Sequence, residues 1–159
     1  HYRWIVEKAP RDNWQRFRAE MSLVQLKRQG GGKREEVLKE YERLLGAYGV
    51  EANTAAEIHD SMAQVLMEMG KPEEAGKHYR WIVEKAPRDN WQRFRAEMIL
   101  IEIELHAKGR TREAIQAYLE LLSQHKKDPE IVRNVRQTVG QLYLEVGEEK
   151  EAKKYLSDQ

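Results

Sequence analysis

Apolar positions recur along this chain with the three- and four-residue spacing of helices, and the alternation typical of strands is not sustained over any segment. Pro72 and Pro129 suit the first turn of a helix, whereas Pro10 and Pro87 are expected just after one. The pattern therefore predicts an all-α protein. The predicted helices cover about residues 1–9, 12–29, 33–46, 54–69, 72–86, 89–108, 111–125, 129–146 and 149–157.

Glycines punctuate this pattern at regular intervals. Gly32, Gly70, Gly109 and Gly147 lie 38, 39 and 38 residues apart, and apolar helical patterns flank each of them. Each interval has room for two helices and two short turns, and glycine is the residue best able to make a tight turn. We expect one domain over 1–159, with a half helix followed by four hairpins at about 1–9, 12–46, 54–86, 89–125 and 129–157.

Helix starts carry a second signal. A short polar residue followed three positions later by Glu or Gln is the pattern of a capping box. In a capping box, the side chain of each of the two residues accepts a hydrogen bond from the backbone N–H group of the other. Three pairs have this spacing: Asp12 with Gln15, Thr54 with Glu57, and Asp89 with Gln92. They predict the beginnings of the first helices of three hairpins.

The chain also repeats itself. Residues 1–21 are identical to residues 78–98, and the same 77-residue offset aligns Tyr41 with Tyr118 and Gly70 with Gly147. Identity is complete up to Met21 and becomes sparse from Ser22 onward. This abrupt change favours engineering, splicing or a very recent duplication of the first copy, and the alternative is a natural array under local gene conversion.

A family resemblance rests on the second helix of each hairpin. Small or apolar, aromatic and apolar residues recur there at intervals of four and three: Val37, Tyr41, Leu44; Ala75, Tyr79, Ile82; and Ala114, Tyr118, Leu121. This resembles the tetratricopeptide repeat (TPR) family. The resemblance implies a right-handed α-α superhelix, a solenoid of antiparallel helix hairpins that binds proteins without catalysis.

Two departures from the family pattern affect what can be carried over. The repeat is longer than the family's 34 residues, and Gln25 and Glu102 stand where a small residue is usual. Larger side chains there keep neighbouring helices further apart, so the pitch of the superhelix is not transferred.

Composition excludes several classes of function. The 159 residues are 40% hydrophobic and 35% charged, with 28 basic and 27 acidic residues. A net charge of +1 gives no field that would attract nucleic acid or an anionic membrane. The longest apolar run is too short to span a bilayer, and no secretory signal is visible. The absence of cysteine excludes thiol chemistry and leaves the compartment undetermined.

Catalytic and metal-binding patterns are sparse. No serine lies in the glycine-flanked turn typical of serine hydrolases. A phosphate-binding loop follows a strand, whereas Gly30–Gly32 follow a predicted helix. The five histidines are spaced so that no two share a helical turn, whereas zinc sites combine several ligands. We expect no enzyme activity, no metal and no cofactor.

Aromatic residues are predicted to fill the seams between hairpins. Trp14 with Phe17, and Trp91 with Phe94, have the spacing of one helix face, although aromatics among arginines also suit single-stranded nucleic acid. Packing is the ordinary explanation. The residues assigned to structure are Tyr2, Trp4, Trp14, Phe17, Tyr41, Ala75, Tyr79, Trp81, Trp91, Phe94, Ala114, Tyr118, Gly140 and Tyr143.

In a TPR-like array the first helices line the concave face, and this defines the candidate binding groove. Its mixture of amides and two isoleucines suits an extended or helical peptide held by backbone hydrogen bonds and one apolar anchor. The alternative is that the isoleucines are simply buried. The predicted groove residues are Ser22, Leu26, Asp60, Gln64, Ile99, Ile103, His106, Asn134, Gln137 and Gln141.

A second hypothesis assigns the chain a structural role. Repeat arrays normally cover their terminal apolar surfaces with polar helices, and no such helix is evident at either end of this sequence. Uncapped array ends would allow copies to associate head to tail as a homo-oligomer, in a ring or a fibre. The identity of any partner is not encoded in a recognisable motif.

Overall fold

The computed structural model describes residues 1–8 and 14–157, and these residues form helices joined by turns and short connections. Within them a short 3₁₀ turn follows the sixth helix at His106–Lys108. The α-helices of the described residues are α1 (Tyr2–Lys8), α2 (Trp14–Gln29), α3 (Arg34–Tyr48), α4 (Ala52–Glu68), α5 (Pro72–Lys85), α6 (Trp91–Glu104), α7 (Thr111–Gln124), α8 (Pro129–Glu145) and α9 (Glu149–Leu156).

The chain forms two compact units, 1–97 and 98–159, whose boundary falls inside α6. In the first unit α1 packs on α2, α2 on α3, α3 on α4, and α4 on α5. In the second unit α7 packs on α8, and α8 on α9. Contacts between helices that are neighbours in sequence are typical of repeat proteins built from hairpins. The all-α prediction is confirmed for the described residues, among which no helix is both long and apolar enough to cross a membrane.

Glycine turns join the helices, with one correction to the prediction. Three predicted turn glycines adopt the left-handed conformation: Gly70, Gly109 and Gly147. At the first turn, however, Gly31 has the positive φ of +82°, and Gly32 does not. A Cβ on Gly32 would lie 2.8 Å from the backbone oxygen of Lys27, so this glycine permits close approach. The prediction was wrong by one residue because three consecutive glycines leave the turn position undecided.

The helix starts are set by prolines and by asparagine and aspartate caps. Pro72 and Pro129 lie in the first turns of α5 and α8, as predicted. The side chain of Asp128 accepts hydrogen bonds from the backbone N–H groups of Glu130 and Ile131, at 3.1 and 3.2 Å. These contacts satisfy donors that the first turn of a helix leaves unpaired.

Two of the predicted capping boxes are wrong. Helix α4 begins at Ala52, so Thr54 lies inside the helix, and the residue before α4, Glu51, makes no side-chain cap. Before α6 the side chain of Asn90 accepts a hydrogen bond from the backbone N–H of Arg93 at 3.2 Å, and α6 begins one residue after Asn90. Asn90 therefore takes the place predicted for Asp89. Asp12 and Pro10 lie outside the described residues.

Each unit has a buried core of the predicted type. Phe17, Tyr41 and Tyr79 are almost fully buried in the first unit, and the small Ala75 lets α5 approach α4. In the second unit the buried Tyr118 donates a hydrogen bond to the backbone oxygen of Met98 at 3.2 Å. Ala114 and Gly140, which were also assigned a structural role, are buried as well. Tyr143 stacks on Tyr155, with ring centroids 5.6 Å apart.

Four aromatic residues predicted to fill seams are exposed instead: Tyr2 (42%), Trp4 (62%), Trp14 (58%) and Trp91 (64%). Trp14 and Trp91 are the first residues of α2 and α6, and helical side chains lean toward the N-terminus, so both indoles extend beyond the turn that contacts the core. Phe17, one turn later, is buried, as predicted. The assignment of these four residues to buried packing was therefore wrong.

Candidate functional site

A polar cavity of about 230 Å³ opens in the first unit between α2, α4 and the start of α6. Three of the predicted groove residues, Ser22, Asp60 and Gln64, line it, whereas the exposed Leu26 does not. The full lining consists of Arg18, Met21, Ser22, Gln25, Arg28, Tyr41, Glu57, Asp60, Ser61, Gln64, Trp91 and Gln92. All of these residues except Tyr41, which lies on α3, come from the first helices of successive hairpins.

Ion pairs between helices neutralise the walls of this cavity. Arg18 on α2 donates to Oε1 of Glu57 on α4 at 2.6 Å. Arg28, also on α2, donates through Nε to Glu68 at 3.0 Å, and its guanidinium reaches the amide oxygen of Gln64 at 3.5 Å. The charges that face the cavity are therefore largely paired with each other before any ligand arrives.

Asp60 is the most buried charged group of the cavity, with 5% of its surface exposed. Burial raises the pKa of its carboxyl, and Arg95 and Gln64 act in the opposite direction by stabilising the carboxylate. Both carboxylate oxygens lie 2.6 Å from Nη1 of Arg95, and Oδ2 also accepts from Gln64 at 2.7 Å. A carboxylate held by two partners fixes the beginning of α6 to α4 and has little capacity left for proton transfer.

The two serine hydroxyls in the cavity are hydrogen-bonded to the backbone of their own helices. Ser22 donates to the backbone oxygen of Arg18 at 2.9 Å, and Ser61 donates to that of Glu57 at 3.0 Å. Neither serine has the neighbouring base that an activated nucleophile needs. The arrangement is suited to holding a ligand and shows no group poised for chemistry among the residues described.

Two residues that line the cavity, Gln25 and Trp91, have polar or aromatic groups that a ligand could contact. Gln25 is exposed, and among the described residues its amide makes no hydrogen bond. Trp91 lines the cavity and is 64% exposed, and no ring or cation in the described part of the chain covers its indole. The sequence analysis did not assign either residue to the site. Gln25 carried a signal, because a polar side chain stood where the family pattern has a small residue.

The second unit places the remaining predicted groove residues less closely together. Ile103 is buried, with 8% exposed, and Ile99 is half-buried, so Ile103 offers little surface to a ligand. Asn134 and Gln141 are exposed on α8. Gln137 lines a separate groove of about 740 Å³ along α8 and α9, together with Pro129, Val132, Arg133, Arg136, Tyr155 and Leu156.

His106 is fixed by two carboxylates of the second unit. Its Nε2 lies 2.7 Å from Glu145, and its Nδ1 lies 2.8 Å from Glu102. The hydrogen bonds to Glu145 and then to Glu102 raise the pKa of His106. This histidine therefore stabilises the second unit, and its ring nitrogens are already occupied.

The structure brings together two histidines that the sequence analysis had treated as separate. Nδ1 of His59 on α4 lies 2.8 Å from Nδ1 of His78 on α5, and His59 stacks on Trp81 with centroids 4.1 Å apart. Burial, and then the nearby His78, lower the pKa of His59 to about 4. Over the described residues no group of three or more His, Cys, Asp or Glu side chains could hold a metal ion.

Comparison with solved structures identifies the fold. A Podosopora anserina protein with nearly identical TPR-like repeats matches with a TM-score of 0.68 at 15% identity, covering 98% of this chain and 79% of that one. MamA matches with a TM-score of 0.62 at 16% identity, covering 98% and 81%. No family model and no curated protein matches the sequence. The chain therefore has the TPR-like solenoid fold of antiparallel helix hairpins.

Proposed function

We propose that this protein is a non-catalytic scaffold that binds an extended peptide segment of another protein on its concave face, in the cavity of the first unit. The observation that carries the proposal is that the charged residues of the cavity are paired with each other, while the Gln25 amide and the Trp91 indole have no partner among the described residues. Concave surfaces of helical repeat arrays commonly bind extended segments. Amides bond a peptide backbone without regard to sequence, and an exposed indole supplies an apolar anchor.

The remaining predicted groove residues extend this proposal. Ser22, Asp60 and Gln64 shape the cavity, and Leu26 lies on the same helix as Ser22. In the second unit Asn134, Gln137 and Gln141 present exposed amides along α8. Ile99, Ile103 and His106 act in our proposal as structural support, because the two isoleucines are largely covered and the histidine is bonded to carboxylates.

Peptide-array screening followed by affinity measurement tests the proposal. For a peptide selected on the array, Gln25→Leu should raise Kd about fivefold, since one hydrogen bond of ~1 kcal/mol is lost and its partner is left unpaired. Gln29→Leu is the matched control, because Gln29 is exposed on the same helix but does not line the cavity. Equal affinities for the two variants, or no binder on the array, would contradict the proposal.

A second candidate function is self-association, and it has its own observation. The segment 79–85 has the same sequence as α1, yet Tyr79 is 1% exposed against α4 while Tyr2 of α1 is 42% exposed. The 77-residue offset aligns His59, which stacks on Trp81, with Arg136, which lines the groove along α8 and α9. The α1 helix of a second copy would bring its Trp4 against Arg136, an arrangement favoured by cation–π attraction.

The docked helix would use Trp4 and Ile5 and not Tyr2, because Leu156 lines the groove at the place equivalent to Tyr79. The same offset aligns Asp158 with Trp81 and Gln159 with Ile82, so Trp4 and Ile5 of the second copy would take the places of these two polar residues. Light scattering from micromolar to near-millimolar concentration tests this candidate. The mass should rise with concentration for the native chain and for Trp14→Glu, and should stay that of one chain for Trp4→Glu. A single-chain mass for the native protein at every concentration would contradict it.

A further inference from the structure

The two identical segments 14–21 and 91–98 place their tryptophans in different chemical surroundings. In α2 the guanidinium carbon of Arg18 lies 5.4 Å from the centroid of the Trp14 ring, so the protein covers that indole with its own cation. Arg95 stands at the corresponding place in α6, four residues after Trp91. If no other residue interacted with Arg95, we would expect its guanidinium to cover the Trp91 ring as that of Arg18 covers Trp14.

Asp60 changes the outcome in α6. Its two carboxylate oxygens hold Nη1 of Arg95 at 2.6 Å, and no cation covers the Trp91 ring among the residues described. An ion pair with a buried carboxylate is stronger than stacking on an exposed ring, because the carboxylate would otherwise be left desolvated and unpaired. Trp91 therefore has a vacant face of the kind that Trp14 fills with a guanidinium.

A hydrogen-bond acceptor lines the same cavity as this vacant face. Arg18 occupies only Oε1 of Glu57, and Oε2 makes no hydrogen bond within the described part of the chain. The amide of Gln25 lines the cavity as well and is also free. A volume of about 230 Å³ is below that of a typical small-molecule pocket, so it suits one side chain of a larger ligand.

We propose that the cavity binds an arginine side chain of the peptide, with its guanidinium stacked on Trp91 and hydrogen-bonded to Oε2 of Glu57. This inference rests on the proposed function and specifies its ligand. The planar guanidinium stacks on an indole and donates in its own plane at the same time, which the compact ammonium of lysine does not do. The arginine's charge enters a cavity whose own positive groups, Arg18 and Arg28, are already paired.

NMR titration with short peptides tests the assignment. The probes are acetylated and amidated Gly-Ser-X-Ser-Gly peptides in which X is arginine, lysine or citrulline, the last being an uncharged analogue of arginine shape. We expect the arginine peptide to bind most tightly and the citrulline peptide at least about fivefold more weakly, as loss of the cation–π and ionic contacts requires.

Trp91→Leu should weaken binding of the arginine peptide about fivefold, whereas Trp14→Leu should change it less than about twofold. The two substitutions are matched in sequence context and in exposure, so a general effect of losing a surface tryptophan would appear in both. Glu57→Gln provides an independent variant that keeps the side-chain shape and removes the charge. It should reduce the preference for arginine over citrulline.

Several results would overturn the inference. These are equal binding of arginine and citrulline peptides, equal effects of Trp91→Leu and Trp14→Leu, or no binding of the arginine peptide up to its solubility limit. If an array-selected peptide without arginine binds and Gln25→Leu weakens it, the arginine assignment fails while the proposed function stands. If no peptide of either set binds, both fail.

Discussion

At the residue scale, burial distinguishes aromatic residues that the sequence presents as equivalent. Tyr79 and Tyr118 are buried, and burial raises the pKa of each phenol to about 12. Tyr2 has the same six neighbours on its C-terminal side as Tyr79, yet nearly half of it is exposed. Identical local sequence therefore produces a core residue in one copy and a surface residue in the other.

This contrast gives a stability prediction. Tyr79→Ala should lower the free energy of unfolding by roughly 3–5 kcal/mol, because it removes a buried aromatic ring and leaves a cavity. Tyr2→Ala, in the same seven-residue sequence, should cost less than about 1 kcal/mol. Denaturant unfolding followed by circular dichroism measures both. Losses of similar size would show that the packing register of α5 on α4 is wrong.

Residue-scale prediction from sequence succeeded where periodicity alone decides burial. The apolar and aromatic positions of the second helices, such as Tyr41 and Tyr118, are buried as their spacing indicated. It failed at Trp14 and Trp91, because residue spacing gives the face of a helix but not whether that turn reaches the core. Both indoles belong to the first residue of a helix, where the core has not yet begun.

At the scale of helix pairs, the contact of α4 with α5 contains a titratable element. His59 and His78 share a hydrogen bond, and burial lowers the pKa of both. The carboxylates that act on His78, Glu42 on α3 and Glu74 on α5, oppose this effect without reversing it. The folded pair therefore resists protonation at a pH where the unfolded chain accepts protons.

The sign of the pH dependence follows from these shifts. The pKa of His59 falls from 6.5 to about 4 on folding, so its contribution to stability is complete above pH 6.5 and is lost as the pH falls toward 4. The loss should be on the order of 2 kcal/mol. Hydrogen exchange of α4 and α5 amides, corrected for intrinsic rates, should show reduced protection over this range, and His59→Gln should reduce the pH dependence.

The second unit contains its own control for this experiment. The offset of 77 residues aligns His59 with Arg136 and His78 with Tyr155, and the Arg136 guanidinium lies 5.5 Å from the Tyr155 ring centroid. Neither side chain has an ordinary pKa between pH 4 and 6.5. Protection of α8 and α9 should therefore change less than that of α4 and α5. Equal losses in both units would rule out the histidine pair as the cause.

The pairing of α8 with α9 depends on a glycine. A Cβ on Gly140 would lie 2.5 Å from the side chain of Leu156, so Gly140→Ala requires Leu156 to move. We expect a loss of about 1–3 kcal/mol from overpacking. Gly46→Ala in the last turn of α3 meets no atom within 4 Å and should gain less than about 1 kcal/mol from helix propensity. Thermal unfolding of the two variants should shift in opposite directions.

For the whole molecule, the repeat pattern was sufficient to predict the fold class but not the candidate site. Spaced glycines and helical periodicity define hairpins in this chain, and a solved structure that is only 15% identical has a similar fold, with a TM-score of 0.68. The cavity depends on contacts such as Arg95 with Asp60, 35 residues apart. Charged residues at surface spacings have many possible partners, and only the packing of helices selects among them. The single array over 1–159 and the origin of the 21-residue identity stay predictions.

We propose above all that a peptide binds in the first unit's cavity, beside Trp91 and Gln25. The most direct test of this proposal is a ¹⁵N-labelled NMR titration with a peptide selected on the array, assigned at the Trp91 indole N–H and at the side-chain amides of Gln25 and Gln64. We predict that these signals shift together and saturate with one Kd, while the Trp14 indole changes little. Shifts confined to α3 and α5, or to the second unit, would contradict the claim.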